Sequence, residues 1–197
     1  MNDEETLRFY ARDAAAYARH RQQPSPRLAA FLGELPAGAA ILELGCGGGV
    51  DAAEMIRQGF AVDATDGSPD MVRQAKARLG VPARVMRFDA LAAEAAYDAV
   101  WANACLLHVP RAGLPAVLGR VHRSLRPGGL FHAGYKAGAR EGRDRLGRYY
   151  NFPDRAMLDA AYAGAGPWGA VMVEEAVGRG YDGVQTPWLY VAARKAG

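Results

Sequence analysis

Cysteine is scarce in this 197-residue chain: only Cys46 and Cys105 occur, and no sequence pattern pairs them. No disulfide framework and no metal site are expected, and a reducing compartment suits both thiols. Charge of one sign is scarce too. Lys+Arg 24 against Asp+Glu 21 leaves a net +3 without any block of consecutive cations, so nucleic acid is permitted as a partner but not demanded. No apolar run approaches the ~20 residues of a membrane helix. The opening Met1-Asn2-Asp3-Glu4-Glu5 is polar and acidic, the reverse of a secretory leader. These absences predict a soluble cytoplasmic protein. Internal repeats are lacking as well, and so is any linker long enough to separate a second domain. What remains, 50% hydrophobic and 23% charged, is the balance of a globular domain with a sizeable core.

Periodicity then orders the chain. Ala39 to Leu44 reads as a buried strand ended by glycines, followed by a helix from Val50 to Gln58, with Gly59 beyond it. Phe60 to Thr65 is a second strand, and Ser68-Pro69 supplies an N-cap and first-turn proline for a helix through Leu79. Further strands are predicted over Ala83–Phe88, Tyr97–Asn103 and Leu130–Tyr135. A helix between Ala112 and Leu125 carries Leu114, Val117, Leu118 and Val121 on one face, with Pro115 allowed only in its first turn. Pro153 to Ala163 is helical, and strands near Ala170–Ala176 and Trp188–Arg194 close the pattern without a helix between them. Alternating strands and helices imply a mostly parallel sheet covered on both faces, and the last pair a hairpin with one antiparallel strand. Ahead of the first strand, Glu4 to Arg19 reads as a helix and Ser25-Pro26 opens another. The division expected is a helical cap over residues 1–37 and the main α/β domain over 38–197.

The most informative stretch is Glu43-Leu44-Gly45-Cys46-Gly47-Gly48-Gly49, set between a strand and a helix. Glycines there let the backbone turn sharply and a ligand approach it closely. A dinucleotide fingerprint would require glycine where Val50 stands. Asp66, about 20 residues beyond Gly45, ends the second strand where a carboxylate can accept from a ribose diol. Together they indicate a nucleoside-containing ligand at the carboxyl ends of the strands.

Ile41 to Gly49 resembles the first motif of the class I S-adenosylmethionine-dependent methyltransferases. Matching segments follow in order: Asp66-Gly67-Ser68-Pro69-Asp70-Met71, Phe88-Asp89-Ala90-Leu91, Tyr97 to Asn103, and Leu125-Arg126-Pro127-Gly128-Gly129. The closing Thr186 to Arg194 is similar to small bacterial members of the tellurite-resistance-like and ubiquinone-biosynthesis-like groups. The resemblance implies a Rossmann-like seven-stranded sheet, S-adenosyl-L-methionine as cofactor, and roles for single residues. Glu43 and the backbone of Gly45, Cys46 and Gly47 would face the methionine part. Asp66 would hold both ribose hydroxyls, with Gly67 and Met71 beside the adenine. Asp89 would accept from the adenine amino group, helped by the Ala90 N–H. Asn103 would lie near the methionyl end. Tyr10 and Tyr17 would close over it, and Arg21 could pair with its carboxylate.

The family shares no single catalytic residue. His108, a few residues past the fourth strand, is the best candidate for a general base, against a packing role in the loop. His122 is expected to be solvated and His132 structural. Tyr135 to Phe152, with Lys136, Arg140, Arg143, Arg145, Arg148, Tyr149 and Tyr150, reads as too charged and glycine-rich for core and as a second cover. Its arginines and rings suit a planar or anionic acceptor, although 21 of the 24 cations are arginine and much of that reflects composition. The leading expectation is therefore a methyltransferase acting on a small molecule, as a monomer or homodimer. RNA methylation, a non-catalytic S-adenosylmethionine binder and an NAD-dependent enzyme are the alternatives.

Overall fold

The computed structural model describes residues 3–197. Side-chain alternation along two central strands explains the layering. In β1 (Ala40–Leu44) and β4 (Tyr97–Ala102), Ile41, Ala99 and Trp101 face one side of the sheet, while Leu42, Leu44, Val100 and Ala102 face the other. All seven are essentially inaccessible to solvent, as strands covered on both faces must be.

Chain order is α1 (Glu4–Arg12), α2 (Ala14–His20), α3 (Leu28–Gly33), β1, α4 (Val50–Arg57), β2 (Ala61–Asp66), α5 (Pro69–Leu79), β3 (Arg84–Val85), β4 and α6 (Leu114–Ser124). It continues with β5 (Leu125–Lys136), β6 (Gly142–Arg143), β7 (Tyr149–Tyr150), α7 (Arg155–Ala163), β8 (Trp168–Arg179) and β9 (Gln185–Lys195). The seven-stranded sheet has the order β3-β2-β1-β4-β5-β9-β8, and β9 alone runs antiparallel to its neighbours. The expected seven-stranded, mostly parallel sheet with one antiparallel strand is borne out. Leu114, Val117, Leu118 and Val121 of α6 pack with Leu158 and Tyr162 of α7 on one face. Leu28, Phe31 and Leu32 of α3 and Met55 of α4 cover the other.

Local signals set several element ends. Ser68 accepts from the Met71 N–H and Pro69 occupies the first turn, fixing where α5 starts; Gly80 ends it in a left-handed conformation. Pro115 does lie in the first turn of α6.

Other expectations are corrected. The helix read over Glu4–Arg19 is two helices, interrupted at Asp13, whose backbone (φ −101°, ψ 12°) leaves helical geometry; aspartate is a weak helix-interior residue. The strand read over Ala83–Phe88 is only Arg84–Val85, because Phe88–Ala90 winds into a 3₁₀ turn. β5 begins at Leu125, absorbing Pro127-Gly128-Gly129 as an irregularity between the pairs Tyr97↔Leu125 and Ala99↔Leu130. β8 and β9 are longer than their apolar cores suggested. His122 is buried, not solvated, with its ring edge-on to Trp168 at 4.8 Å. The Tyr135–Phe152 segment contributes to the interior after all: Arg148, Tyr150 and Asn151 are buried, and β6 pairs with β7 there.

Candidate functional site

The glycine turn sits where β1 ends beside β2 and β4. Gly45 (φ +66°) and Gly47 (φ +56°) both occupy the left-handed region, for different reasons. A Cβ on Gly45 would lie 2.4 Å from the Cys105 Cβ, so that residue must be bare for the turn to pack on the loop after β4. At Gly47 the nearest atoms are Met71 Cε at 3.7 Å and Tyr17 Cε1 at 3.8 Å; there the bare backbone leaves room. Cys46 N–H donates to the Thr65 carbonyl (2.8 Å), stitching the turn to β2.

Asp66 joins the second motif to the first. Its carboxylate accepts from the Gly47 N–H at 2.9 Å and the Ser68 N–H at 2.8 Å. Burial pushes its carboxyl above the usual range, while the two N–H groups favour the charged form. Each oxygen keeps lone-pair capacity for a ligand. Asp66, Gly67, Met71, Phe88, Tyr10 and His108 line a narrow cavity of about 70 Å³ roofed by α1. Next to it opens a wide cleft of about 540 Å³, with Cys46, Asn103 and Arg21 in its wall. Tyr17, Gly45, Gly47 and Ala104 border both spaces. Ala104 holds a left-handed backbone (φ +58°), unusual for a residue with a Cβ and a mark of a site that constrains its chain.

Glu43 lies in the sheet beneath the glycine turn, 3% exposed, with Oε2 unpartnered among the described residues. Burial, then the negative Asp51, pushes its carboxyl well above the ordinary value. A nearby cation or donor from a ligand would relieve both. Arg21 lies on the cleft wall, but its Nη2 donates to Asp51 at 2.7 Å. Asp51, which no sequence motif marked, also accepts from the Ser25 N–H (2.8 Å) and Trp101 Nε1 (2.9 Å). It anchors the segment after α2 to the helix that follows the glycine turn.

His108 is 9% exposed and both ring nitrogens are engaged. Its Nδ1–H donates to the Tyr149 carbonyl at 2.6 Å, and Nε2 accepts from the Tyr10 hydroxyl at 2.9 Å. Burial pulls its pKa down to about 4, so the ring is neutral near pH 7 and a hydrogen-bond acceptor at Nε2. Asp89 and Ala90 lie at the exposed 3₁₀ turn outside both cavity linings, and the Ala90 N–H donates to the Arg87 carbonyl at 3.0 Å. Phe88, their neighbour, is the residue that reaches the narrow cavity.

Part of the basic segment after β5 is committed inward, while Arg140, Arg143 and Arg145 stay exposed. Arg148, 1% exposed, donates to Asp144 at 2.7 Å and stands over the rings of Phe9, Tyr150 and Tyr181. Arg143 pairs with Asp3 at 2.8 Å, and this arginine holds the Asp3 carboxyl down at about 2. Asn151 donates to the carbonyls of Leu106 (3.0 Å) and Val109 (3.1 Å), fixing the loop that carries His108. Among the described residues, no cluster of His, Cys, Asp and Glu could hold a metal ion, and no helix is long and apolar enough to cross a membrane.

Comparison with known proteins agrees with this geometry. Residues 41–129 match the family model described as a methyltransferase domain. A ubiquinone biosynthesis O-methyltransferase from Xanthomonas axonopodis pv. citri is 40% identical over 102 residues, covering 48% of this chain and 41% of that protein. The biotin biosynthesis bifunctional protein BioCD of Bordetella avium is 38% identical over 126 residues, 61% of this chain and 26% of that one. The chain thus spans less than half the length of these relatives. Among solved structures, the 1,6-didemethyltoxoflavin-N1-methyltransferase of Burkholderia thailandensis superposes with a TM-score of 0.74 at 24% identity. That match covers 98% of this chain and 90% of the other, which was solved with 1,6-didemethyltoxoflavin and S-adenosylhomocysteine bound. A Methanosarcina mazei S-adenosylmethionine-dependent methyltransferase gives 0.74 at 17% identity, covering 89% and 99%. At these identities the likeness is one of fold.

Proposed function

Because residues 41–129 match a methyltransferase domain and the chain has the fold of S-adenosylmethionine-dependent methyltransferases, we propose that it belongs to class I of that family and transfers a methyl group from S-adenosyl-L-methionine to a small-molecule acceptor. The observation that carries this is the Asp66 carboxylate in the wall of the narrow cavity, clamped by the Ser68 N–H and by the N–H of Gly47, which itself borders both the cavity and the wide cleft.

The residues present fit the cofactor. Asp66 accepts from a ribose diol, and Gly67, Met71 and Phe88 form the apolar wall for an adenine, with Asp89 and Ala90 at its outer edge. The backbone of Gly45, Cys46 and Gly47 lets the methionyl portion approach, and Asn103 and Arg21 flank it from the cleft. Glu43 places a negative group behind the turn. When bound, the cofactor supplies an electrophilic methyl on a sulfonium centre. The protein's share is alignment and the exclusion of water, which suffice for an in-line displacement. Tyr10 and Tyr17, ring centroids 5.0 Å apart and edge to face, supply that cover. α1 and α2 move outward to admit the cofactor, since the cavity they enclose is too small for a nucleoside.

His108 acts by position. Its Nε2 holds the Tyr10 hydroxyl and its Nδ1–H holds the segment bearing Tyr149, so it braces the cover. It becomes a base only when Tyr10 swings away. The protein acts in water without a membrane partner and without nucleic acid, as a monomer or homodimer in the cytoplasm.

The test is release of S-adenosylhomocysteine when purified protein and S-adenosylmethionine meet a panel of small molecules and, separately, bulk tRNA. Turnover on a small molecule is expected. Turnover confined to tRNA and falling steeply with salt overturns the small-molecule reading; cofactor binding without turnover on any acceptor overturns the enzymatic one.

A further inference from the structure

The wide cleft has a chemistry of its own, and it does not depend on the arginines after β5. Much of its lining is aromatic: Tyr17 and Tyr181 pair with centroids 4.7 Å apart, and Trp188 and Tyr190 stack at 11° and 5.8 Å. Three arginines line it, Arg21, Arg27 and Arg179, and no carboxylate among the described residues does. Two of the three are neutralised from behind. Arg21 is paired with Asp51, and Arg27 makes a two-pronged pair with Glu174 at 2.7 Å while stacking 3.7 Å over the Tyr190 ring. Arg179, at the end of β8, has no ion-pair partner among the described residues. The Trp188 ring, 6% exposed, carries a buried Nε1 with no acceptor. A buried donor without a partner is destabilising, and a bound acceptor atom would relieve that.

An aromatic-walled cleft with one uncommitted guanidinium, one orphan donor and no negative charge is built for a flat anion. Resting on the methyltransferase reading above, we propose that the methyl acceptor is a planar aromatic molecule bearing an anionic group, its ring between the tyrosines and Trp188 and its anion on Arg179. The cleft adjoins Gly45, Cys46 and Gly47, so a ring seated there faces the methionyl end of the cofactor. A long polyanion fits less well. Arg143 and Arg148, which could have continued a positive track, are both tied to aspartates.

The experiment is calorimetric titration of the protein saturated with S-adenosylhomocysteine. The probes are 4-hydroxybenzoate and 6-hydroxy-2-naphthoate, their neutral carboxamides, and the aliphatic anion glutarate. At least one aromatic carboxylate is expected to bind 10-fold or more tighter than its carboxamide, with glutarate weaker than both. Arg179→Gln is expected to erase that preference while leaving S-adenosylhomocysteine affinity unchanged. Equal binding of acid and amide, no binding of any aromatic acid, or an undiminished preference in Arg179→Gln overturns the proposal. If the protein fails to take up S-adenosylhomocysteine in the first place, the methyltransferase reading itself is what has failed, and this inference falls with it.

Discussion

Replacing Gly45 or Gly47 by alanine should separate packing from ligand access, although the two glycines stand two positions apart in one turn. Both have positive φ, so alanine at either costs about 1–2 kcal/mol for the left-handed backbone. Gly45 carries a second cost. Its added Cβ falls 2.4 Å from the Cys105 Cβ, deep in the core, an overpacking worth about 1–3 kcal/mol. Gly45→Ala should therefore melt lower than Gly47→Ala by about 2–12 °C, at roughly 2–4 °C per kcal/mol for a chain this long. Affinity should reverse the order. The Gly47 Cβ meets only ordinary contacts, but it projects between Met71 and Tyr17 into the narrow cavity, and S-adenosylhomocysteine binding should weaken about 10-fold, near 1.4 kcal/mol. Because the clashing atom on the other side is a Cβ, Cys105→Gly should couple favourably with Gly45→Ala and Cys105→Ala should not. The assays are thermal unfolding without ligand and calorimetry with S-adenosylhomocysteine. Equal melting points for the two alanine variants, or rescue by Cys105→Ala, would refute the reasoning.

Asp66→Ala should weaken S-adenosylhomocysteine binding by about 1.5–3 kcal/mol, the scale of hydrogen bonds to a charged group; unchanged affinity in a folded variant removes the ribose contact. His132 is buried against Trp101 (centroids 4.3 Å), and its pKa is pulled down to about 4. The unfolded imidazole then binds a proton between pH 6.5 and 4 that the folded one refuses, so its contribution to stability is lost as pH falls through that window. His132→Phe should remove up to about 3 kcal/mol of that pH dependence. It is read as the difference between variant and wild type in urea titrations, since the raised carboxyls of Glu43 and Asp66 slope the opposite way. Arg148→Met strands the Asp144 carboxylate and should cost about 3–5 kcal/mol; Arg148→Met with Asp144→Leu should recover most of it in the same unfolding assay.

The regions of this molecule written in local backbone chemistry were readable from the chain. The glycine turn, the Ser68-Pro69 helix start, the Asp66 position and the antiparallel closing hairpin each depend on a few adjacent residues or on period alone. Trp101 fell within the predicted strand Tyr97–Asn103, though its bond to Asp51 was not legible there. What escaped depends on distant partners. Arg148 reads as solvent-facing until Phe9 of α1, Tyr150 of β7 and Tyr181 of the turn after β8 surround it. His122 looks solvated by its charged neighbours in sequence, yet α6 turns it onto Trp168. The wide cleft's arginines belong to the segment after α2 and to the end of β8, so no single stretch announced them. Asp51 carried one faint signal: a carboxylate in the first turn of the helix behind the glycine loop, where a solvated charge would have been equally at home.

The central claim is that the glycine turn and Asp66 hold the two ends of an adenosine-bearing sulfonium donor. Calorimetry of the wild-type protein with S-adenosylmethionine, S-adenosylhomocysteine and NAD tests it most directly. One-to-one binding of the first two with no heat from NAD is the expected result. Saturable binding of NAD, or indifference to both adenosyl ligands in well-folded protein, would contradict it.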